Sequence, residues 1–376
     1  MRRTVPSHAP STAEEWRLAA AALAAEVVAP QAMAIDRDDH LPDSIVIRMR
    51  EAGMFGLGIP EEWGGNGGST IAISGVLEEL AAASPAVAVL LSVHLSVCAH
   101  PILAHGTPEQ KDRLLRPLAE GRALGAFALT EPSVGSDPAR LGTRYRREGE
   151  EFVLDGSKMF ITNGARADVV LGFATRDPGL GTHGISAFLL EKGTAGVGNA
   201  QKLDKLGLRG SETNELVLQD ARIPQRDLLG AEGEGLKIAL SALTAGRVGI
   251  ASCALGVARA AFATMRDAAA VDPTDGKRSE VARAYTNLEA ARSLVARAAQ
   301  EKDAGRPYQD LASAAKLIAS EAAVQIASRA LELWGRAGAT AGAPAERILR
   351  DARVFPIVEG TTEIQELILG RSLVGR

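Results

Sequence analysis

Between residues 311 and 333, apolar side chains recur every three or four positions: Leu311, Ala315, Ile318, Ala322, Ile326, Ala330 and Leu333. That period sets them on one face of a helix. Val281, Ala284, Tyr285, Leu288, Arg292 and Val295 trace a second, less regular stripe. Alanine-rich helices of this length pack closely side by side, so residues 232–376 are predicted to form a C-terminal helical bundle. Residues 1–122 also carry helix signals. Thr12 and Glu15 have the spacing of a capping box ahead of an Ala/Leu-rich run. Ser84 precedes Pro85, and Thr107 precedes Pro108 with Gln110 at the third position, both patterns of a helix start. The glycine-rich run at 64–68 is predicted to be a loop.

The pattern changes between residues 123 and 231. Short β-rich runs at 125–129, 151–154, 169–174, 185–190 and 215–218 alternate with turn residues such as Asp155-Gly156 and Asn163-Gly164. This middle segment is predicted to be a small antiparallel β-domain, a barrel or a sandwich. The chain is therefore read as a multidomain α+β protein, helical, then β, then helical, with no repeat of solenoid period.

Composition narrows the function classes. With 46% hydrophobic and 23% charged residues, 376 residues are ample for a large core. A net charge of −4, with no basic stretch interleaved with aromatics, argues against a nucleic-acid partner. Cys98 and Cys253 read as buried apolar residues rather than a disulfide. The basic start Met1-Arg2-Arg3 leads into an Ala-rich run broken by Arg17 and Glu26, so no signal peptide is expected. The longest apolar stretch, 87–99, is short for a membrane span and carries His94. A soluble, cytoplasmic protein without a membrane span is the expectation.

Several candidate motifs carry little chemistry. The 64–68 glycines lack the Lys-Ser/Thr of a phosphate loop. His94, Cys98, His100 and His105 match no common zinc spacing, so no metal is expected. No Gly-x-Ser-x-Gly elbow is present. Three stretches carry more. Residues 127–137, Phe-Ala-Leu-Thr-Glu-Pro-Ser-Val-Gly-Ser-Asp, run a strand into a turn rich in small hydroxyls, where backbone N–H groups can approach an anion. Residues 156–164, Gly-Ser-Lys-Met-Phe-Ile-Thr-Asn-Gly, form a strand end and a turn. By composition alone, both are also ordinary β-turns. Glu359 lies in the apolar context Ile357-Val358-Glu359-Gly360-Thr361-Thr362. It is either a solvated charge before a helix capped by Thr361 or Thr362, or a carboxylate of raised pKa suited to act as a general base.

Taken in order, these stretches resemble the acyl-CoA dehydrogenase family. Further matching segments are 205–213, 222–224, 229–230, 246–251, 314–317, 345–347 and 350–353, so the resemblance spans nearly the whole chain. It implies an N-terminal helical domain (1–122), a middle β-domain (123–231) and a C-terminal four-helix bundle (232–376), assembled as a homodimer or homotetramer. It implies FAD as cofactor and an acyl thioester as substrate. Phe127, Leu129 and Thr130 would border the flavin. Gly135 and Ser136 would approach its pyrophosphate, with Ser136 also facing substrate. Phe160, Ile161 and Thr162 would flank the isoalloxazine, and Thr361 and Glu363 would touch the sugar end. Glu359 falls at the family's catalytic glutamate, with Gly360 beside it, and Arg247 would support that loop. Some relatives carry the base just before the arginine, but here that position is Gly246. Ser211 falls where relatives contact the CoA moiety, and Thr244 where an acid often meets the pantetheine arm. In that reaction, Glu359 takes the α-proton while the β-hydride passes to flavin, and a separate acceptor reoxidises it.

Three departures leave alternatives open. The 266–278 segment lacks the family's Phe-Gly, and Arg266 or Arg278 would have to substitute for its grip on a neighbour's FAD. At 332–339, Glu332 stands where relatives carry glutamine, with Arg336 nearby. Thr244 is not an acid, which keeps an acyl-carrier-protein substrate open beside acyl-CoA. A non-catalytic subunit of a heteromeric relative is the competing reading.

Overall fold

The computed structural model describes residues 10–375, apart from the side chains of residues 199 and 200. The basic start on which the signal-peptide expectation rests lies outside the described residues.

The helix starts form where their caps are. Thr12 accepts from the Glu15 backbone N–H while the Glu15 carboxylate returns to Thr12, closing the capping box of the Ala13–Leu23 helix. Thr107 and Gln110 repeat the arrangement. Trp16, Ala20 and Leu23, at helical spacing, are buried together. The reading of 87–99 as a short apolar stretch needs correcting. Ala13–Asp38, Pro85–His105 and Gly235–Val271 are each continuous helices long and apolar enough to cross a membrane. The 87–99 reading stopped at the flanking polar residues, whereas the helix runs through them. Most of the latter two helices is buried inside the protein, which accounts for their apolar character.

The middle segment folds into eight strands. These are β1 (Gly125–Ala128), β2 (Arg144–Glu148), β3 (Glu151–Thr162), β4 (Val169–Thr175), β5 (Ile185–Glu191), β6 (Val197–Lys202), β7 (Thr213–Pro224) and β8 (Leu228–Leu229). Their order is β6-β7-β3-β2-β4-β5-β8, with β1 also beside β4. The sheet is mixed rather than purely antiparallel, because β1 pairs with β4 in parallel, as does the end of β2. A parallel pair needs a long crossover, and the β2–β3 hairpin lies within the one between β1 and β4. Asp155-Gly156 is not a turn. Gly156 sits at φ 151° inside β3, at a register shift against β7. A side chain there would meet Thr143 Oγ1 at 2.6 Å, so the strand bulges around a close backbone approach.

The C-terminal third is helical: Gly235–Val271, Asp275–Asp303, Gln309–Gly338, Pro344–Ala352 and Thr362–Val374. Helix Gly235–Val271 packs against both Gln309–Gly338 and the N-terminal helix Thr70–Ala83. One apolar core therefore joins the N-terminal helices to the bundle, while the β-strands hold a core of their own. Ala315, Ala322, Ile326 and Ala330 of the first stripe are buried. Ser313, Lys316 and Ser320, polar residues on an adjoining line of the same helix, are buried with them. In the second stripe Ala284, Leu288 and Val295 are buried, but Tyr285 is 54% exposed.

Candidate functional site

The chain between helices Pro344–Ala352 and Thr362–Val374 carries Glu359. This residue has φ 52° and Gly360 follows at φ 96°. A left-handed glutamate costs about 1–3 kcal/mol and persists only where its surroundings hold it. The restraints are visible. The Thr362 backbone N–H donates to the Pro356 carbonyl at 2.9 Å. Lys316 Nζ donates to the carbonyls of Gly360 at 2.8 Å and Pro356 at 3.3 Å. Gln365 Nε2 donates to Gly360 O at 3.1 Å, and Ser320 Oγ to Phe355 O at 3.3 Å. Thr361, rather than Thr362, caps the last helix by accepting from the Ile364 N–H.

The Glu359 residue is half-buried, but its Oε2 is fully buried and has no hydrogen-bond partner among the described residues. Burial pushes its carboxyl up to about 7, against the pull of Arg247 and Lys316, which favour the charged form. A Cβ on Gly246 would lie 2.0 Å from Glu359 Oε2. Side chains at 246 and 359 thus compete for one volume, and the glycine gives it to Glu359. Arg247 is buried beside them, and burial depresses its pKa. Among the described residues it makes no hydrogen bond to the loop: its NH1 reaches Ser313 Oγ at 3.5 Å, and its Nε is unpartnered. The side chains that tether the loop are Lys316, Gln365 and Ser320, with no hydrogen bond to it from Arg247 among the described residues.

The two β-stretches meet. The Met159 N–H donates to Thr130 O at 2.8 Å, joining the end of β1 to β3. Beneath them Lys158 and Glu131 form a buried ion pair at 2.7 Å. Glu131 also accepts the N–H groups of Gly142 and Thr143, at 2.6 and 2.9 Å, which fixes the return of the 130–142 loop. Asn163, at φ 67°, donates to the carbonyls of Leu90 and Gly125 and so binds the end of β3 to the helical domain. Leu129 and Ile161 are buried, and Phe127 and Thr162 are partly open. Gly135 and Ser136 are exposed, with open space around Gly135. Phe160 is 65% exposed and has φ 61°. A bulky aromatic held outward in a left-handed conformation is a strained surface feature suited to meet a planar ring. Together with the open glycine loop, it fits a flavin nucleotide.

Other positions fit less well. Ser211 is buried in a turn closed by its N–H to Leu208 O. That segment is tied by Leu208 and Gly210 to Asp351 and Asp39. Thr244 donates its hydroxyl to Leu240 O of its own helix, so it presents no charge to a ligand. Glu363 is exposed. His94 is buried, accepts from the Gly125 N–H at 3.1 Å, and is kept neutral by burial, its pKa pushed down to about 4. Cys98 and Cys253 are buried free thiols. Among the described residues no group of three His, Cys, Asp or Glu side chains could hold a metal.

Sequence reasoning missed Lys316, Ser320 and the Glu131–Lys158 pair. A lysine among the alanines at 312, 315 and 319 was the available signal, since a charge within a buried helix face needs a reason to be there.

The chain matches three family profiles: acyl-CoA dehydrogenase N-terminal domain at 10–122, middle domain at 126–221 and C-terminal domain at 233–374. It is 42% identical to an acyl-CoA dehydrogenase of Bacillus subtilis, over 93% of this chain and 94% of that one. It is 41% identical to a short-chain specific acyl-CoA dehydrogenase of Clostridium acetobutylicum, over 91% and 92%. The solved structure of butyryl-CoA dehydrogenase from Megasphaera elsdenii superposes with a TM-score of 0.94 at 36% identity, covering 98% of this chain and 100% of that one. The chain belongs to the acyl-CoA dehydrogenase family, whose members are FAD-dependent flavin oxidoreductases.

Proposed function

We propose that this protein dehydrogenates a short acyl-CoA between its α and β carbons, with Glu359 as the base that takes the α-proton. The observation carrying this is the buried, unpartnered Glu359 Oε2, in space left by Gly246, with a pKa near 7. A thioester α-C–H is a weak acid, so its base must be strong yet ionised at the working pH; a carboxyl near 7 meets both needs. FAD, when bound, accepts the β-hydrogen with its electron pair. Phe127, Leu129, Thr130, Phe160, Ile161 and Thr162 are proposed to hold its ring end. Gly135 and Ser136 would meet its phosphates, and Thr361 and Glu363 its sugar end. Ser136 and the Glu359-Gly360 backbone would orient the thioester. Burial of the Glu359 carboxyl keeps it basic. The short-chain and butyryl relatives favour a short acyl group. Ile357, Leu367, Leu373 and Val374 are exposed apolar residues around the last helix, which favours association of identical copies. A separate electron acceptor is proposed to take the electrons onward.

The test is an absorption spectrum followed by turnover with butyryl-CoA and butyryl-acyl-carrier protein, using an artificial acceptor. Flavin absorbance with faster turnover of the CoA thioester is expected. No flavin uptake and no turnover would sink the reading, and preference for the carrier protein would reassign the substrate.

A further inference from the structure

Lys316 is fully buried, and the carboxylates that act on it, Glu359 and Glu363, do so through charge alone, with no side-chain hydrogen bond to it among the described residues. An ammonium taken out of water without a hydrogen-bonded carboxylate is costly, so its fixed contacts are informative. Those contacts are the Gly360 and Pro356 carbonyls, on either side of Glu359. Ser313, Lys316 and Ser320 are spaced at three and four residues and so share one helix face. Each reaches toward the same region: Ser313 to Arg247, Lys316 to the loop, Ser320 to Phe355 O. An otherwise alanine-lined helix thus presents a buried polar stripe to the base and its loop.

We propose that Lys316 is a positioning residue for Glu359: its ammonium, bonded to the Pro356 and Gly360 carbonyls, clamps the loop in its left-handed conformation and fixes where the carboxylate sits. The inference rests on Glu359 being the base. The charged and titratable groups around that carboxyl are few. Arg247 and Cys253 come from helix Gly235–Val271, Lys316 comes from helix Gln309–Gly338, and Tyr308 faces Arg247. Glu363 acts on Lys316 from the last helix. Arg247 and Lys316 are the two cations that favour ionised Glu359. Without Lys316, Arg247 is left alone against burial.

Lys316→Met keeps the apolar stem but removes donor and charge, whereas Lys316→Gln keeps a donor and removes only charge. The first readout is the Glu359 carboxyl band in infrared difference titration of substrate-free protein, assigned by its loss in Glu359→Gln. Its midpoint is expected to rise by about one pH unit in both variants, a change corresponding to about 1.4 kcal/mol. The second readout is turnover of butyryl-CoA. The Met variant is expected to lose about tenfold or more in kcat with little change in KM. The Gln variant should recover part of kcat while its pH limb stays shifted. A Met variant with wild-type midpoint and kcat would overturn the proposal. So would one that loses melting temperature and flavin while the Glu359 midpoint stays put, since that marks a packing role. Should Met fail to fold, the Gln midpoint decides alone. Wild-type protein without dehydrogenase activity would defeat the functional reading, and the infrared midpoints would still decide the role of Lys316.

Discussion

The loop bearing Glu359 and the segments at 266–278 and 332–339 all belong to the helical bundle, but they are held in opposite ways. Around Glu359, buried donors from two helices converge on the loop carbonyls, and a neighbouring glycine makes room for the carboxylate. At the other two segments the charges face solvent and pair with near neighbours. Arg266 pairs with Asp267, Arg278 with Asp275, and Arg329 with Glu332 and Glu280. Exposed pairs of this kind contribute little and are easily exchanged. One chain therefore builds the surroundings of Glu359, the end where we propose that a proton moves. Residues 266–278 and 332–339, which by the family resemblance would grip the adenosine half of a neighbour's FAD, are left as an open surface for ligand or a second copy to complete.

If that contrast is right, substitutions near Glu359 have the largest effects. Glu359→Gln is expected to lower dehydrogenation by about 10³–10⁴-fold with normal flavin content, measured by turnover and absorbance on one sample. Retained activity would remove Glu359 from the reaction. Gly246→Ala comes next. Its methyl would displace the carboxylate, so kcat should fall about 100-fold, with a loss of about 1–3 kcal/mol in stability by chemical denaturation. Full kcat in the Gly246→Ala variant would show that the carboxylate works from elsewhere.

The pH behaviour follows from the same carboxyl. The base acts ionised, so kcat/KM should climb with pH through about 7 and level off above it. Stability runs the other way. Folding raises this carboxyl from 4.5 to about 7, so the folded state holds the proton more tightly. That contribution is fully present below about 4.5 and is lost as pH rises through 7. Glu359→Gln should therefore be more stable than wild type by about 2–3 kcal/mol at pH 8, with no difference near pH 4. Parallel denaturation curves at both pH values check this, and equal stability at pH 8 would mean that the carboxylate is solvated.

What the sequence disclosed follows the range of the forces involved. Helix starts at Thr12 and Thr107 and the stripe through Ala315 and Ile326 are local patterns, and they were legible. Glu359 was singled out as a candidate base only through the order of the matching motifs. The parallel β1–β4 pairing and the bulge at Gly156 depend on strands distant in sequence, so no local period encodes them. Strands β2, β6 and β8 escaped because charge, irregular pairing or brevity hides their alternation. An arginine beside the base suggests a tether, but Arg247 makes no hydrogen bond to the loop among the described residues, whereas Lys316, 43 positions before Glu359, bonds two of its carbonyls. Burial created the Glu359 pKa, and burial is a property of the fold rather than of the Val358-Glu359-Gly360 run.

The smallest effect is expected at the open end, where it sharpens the contrast most. Glu332 pairs with Arg329, and both side chains are about half exposed. It lies one turn before a break in the helix, where Gly335 takes φ 56° and ψ −133°. Trp334 Nε1 donates to Thr264 O at 2.9 Å and pins that break to helix Gly235–Val271. A carboxylate on this rim would repel the phosphates of a dinucleotide, though water and salt weaken the repulsion. Glu332→Gln should therefore tighten FAD binding only about two- to fivefold, at unchanged kcat with saturating cofactor. Fluorescence titration of the apoprotein at low and high salt measures it, and the gain should shrink in high salt, because screening acts on exposed charges. A gain that persists in salt would mean that Glu332 is desolvated in the bound state, with a second copy closing over it. An unchanged affinity at both salts would place the adenosine half away from residues 332–339 and end the claim that this rim is where the cofactor site is weakest.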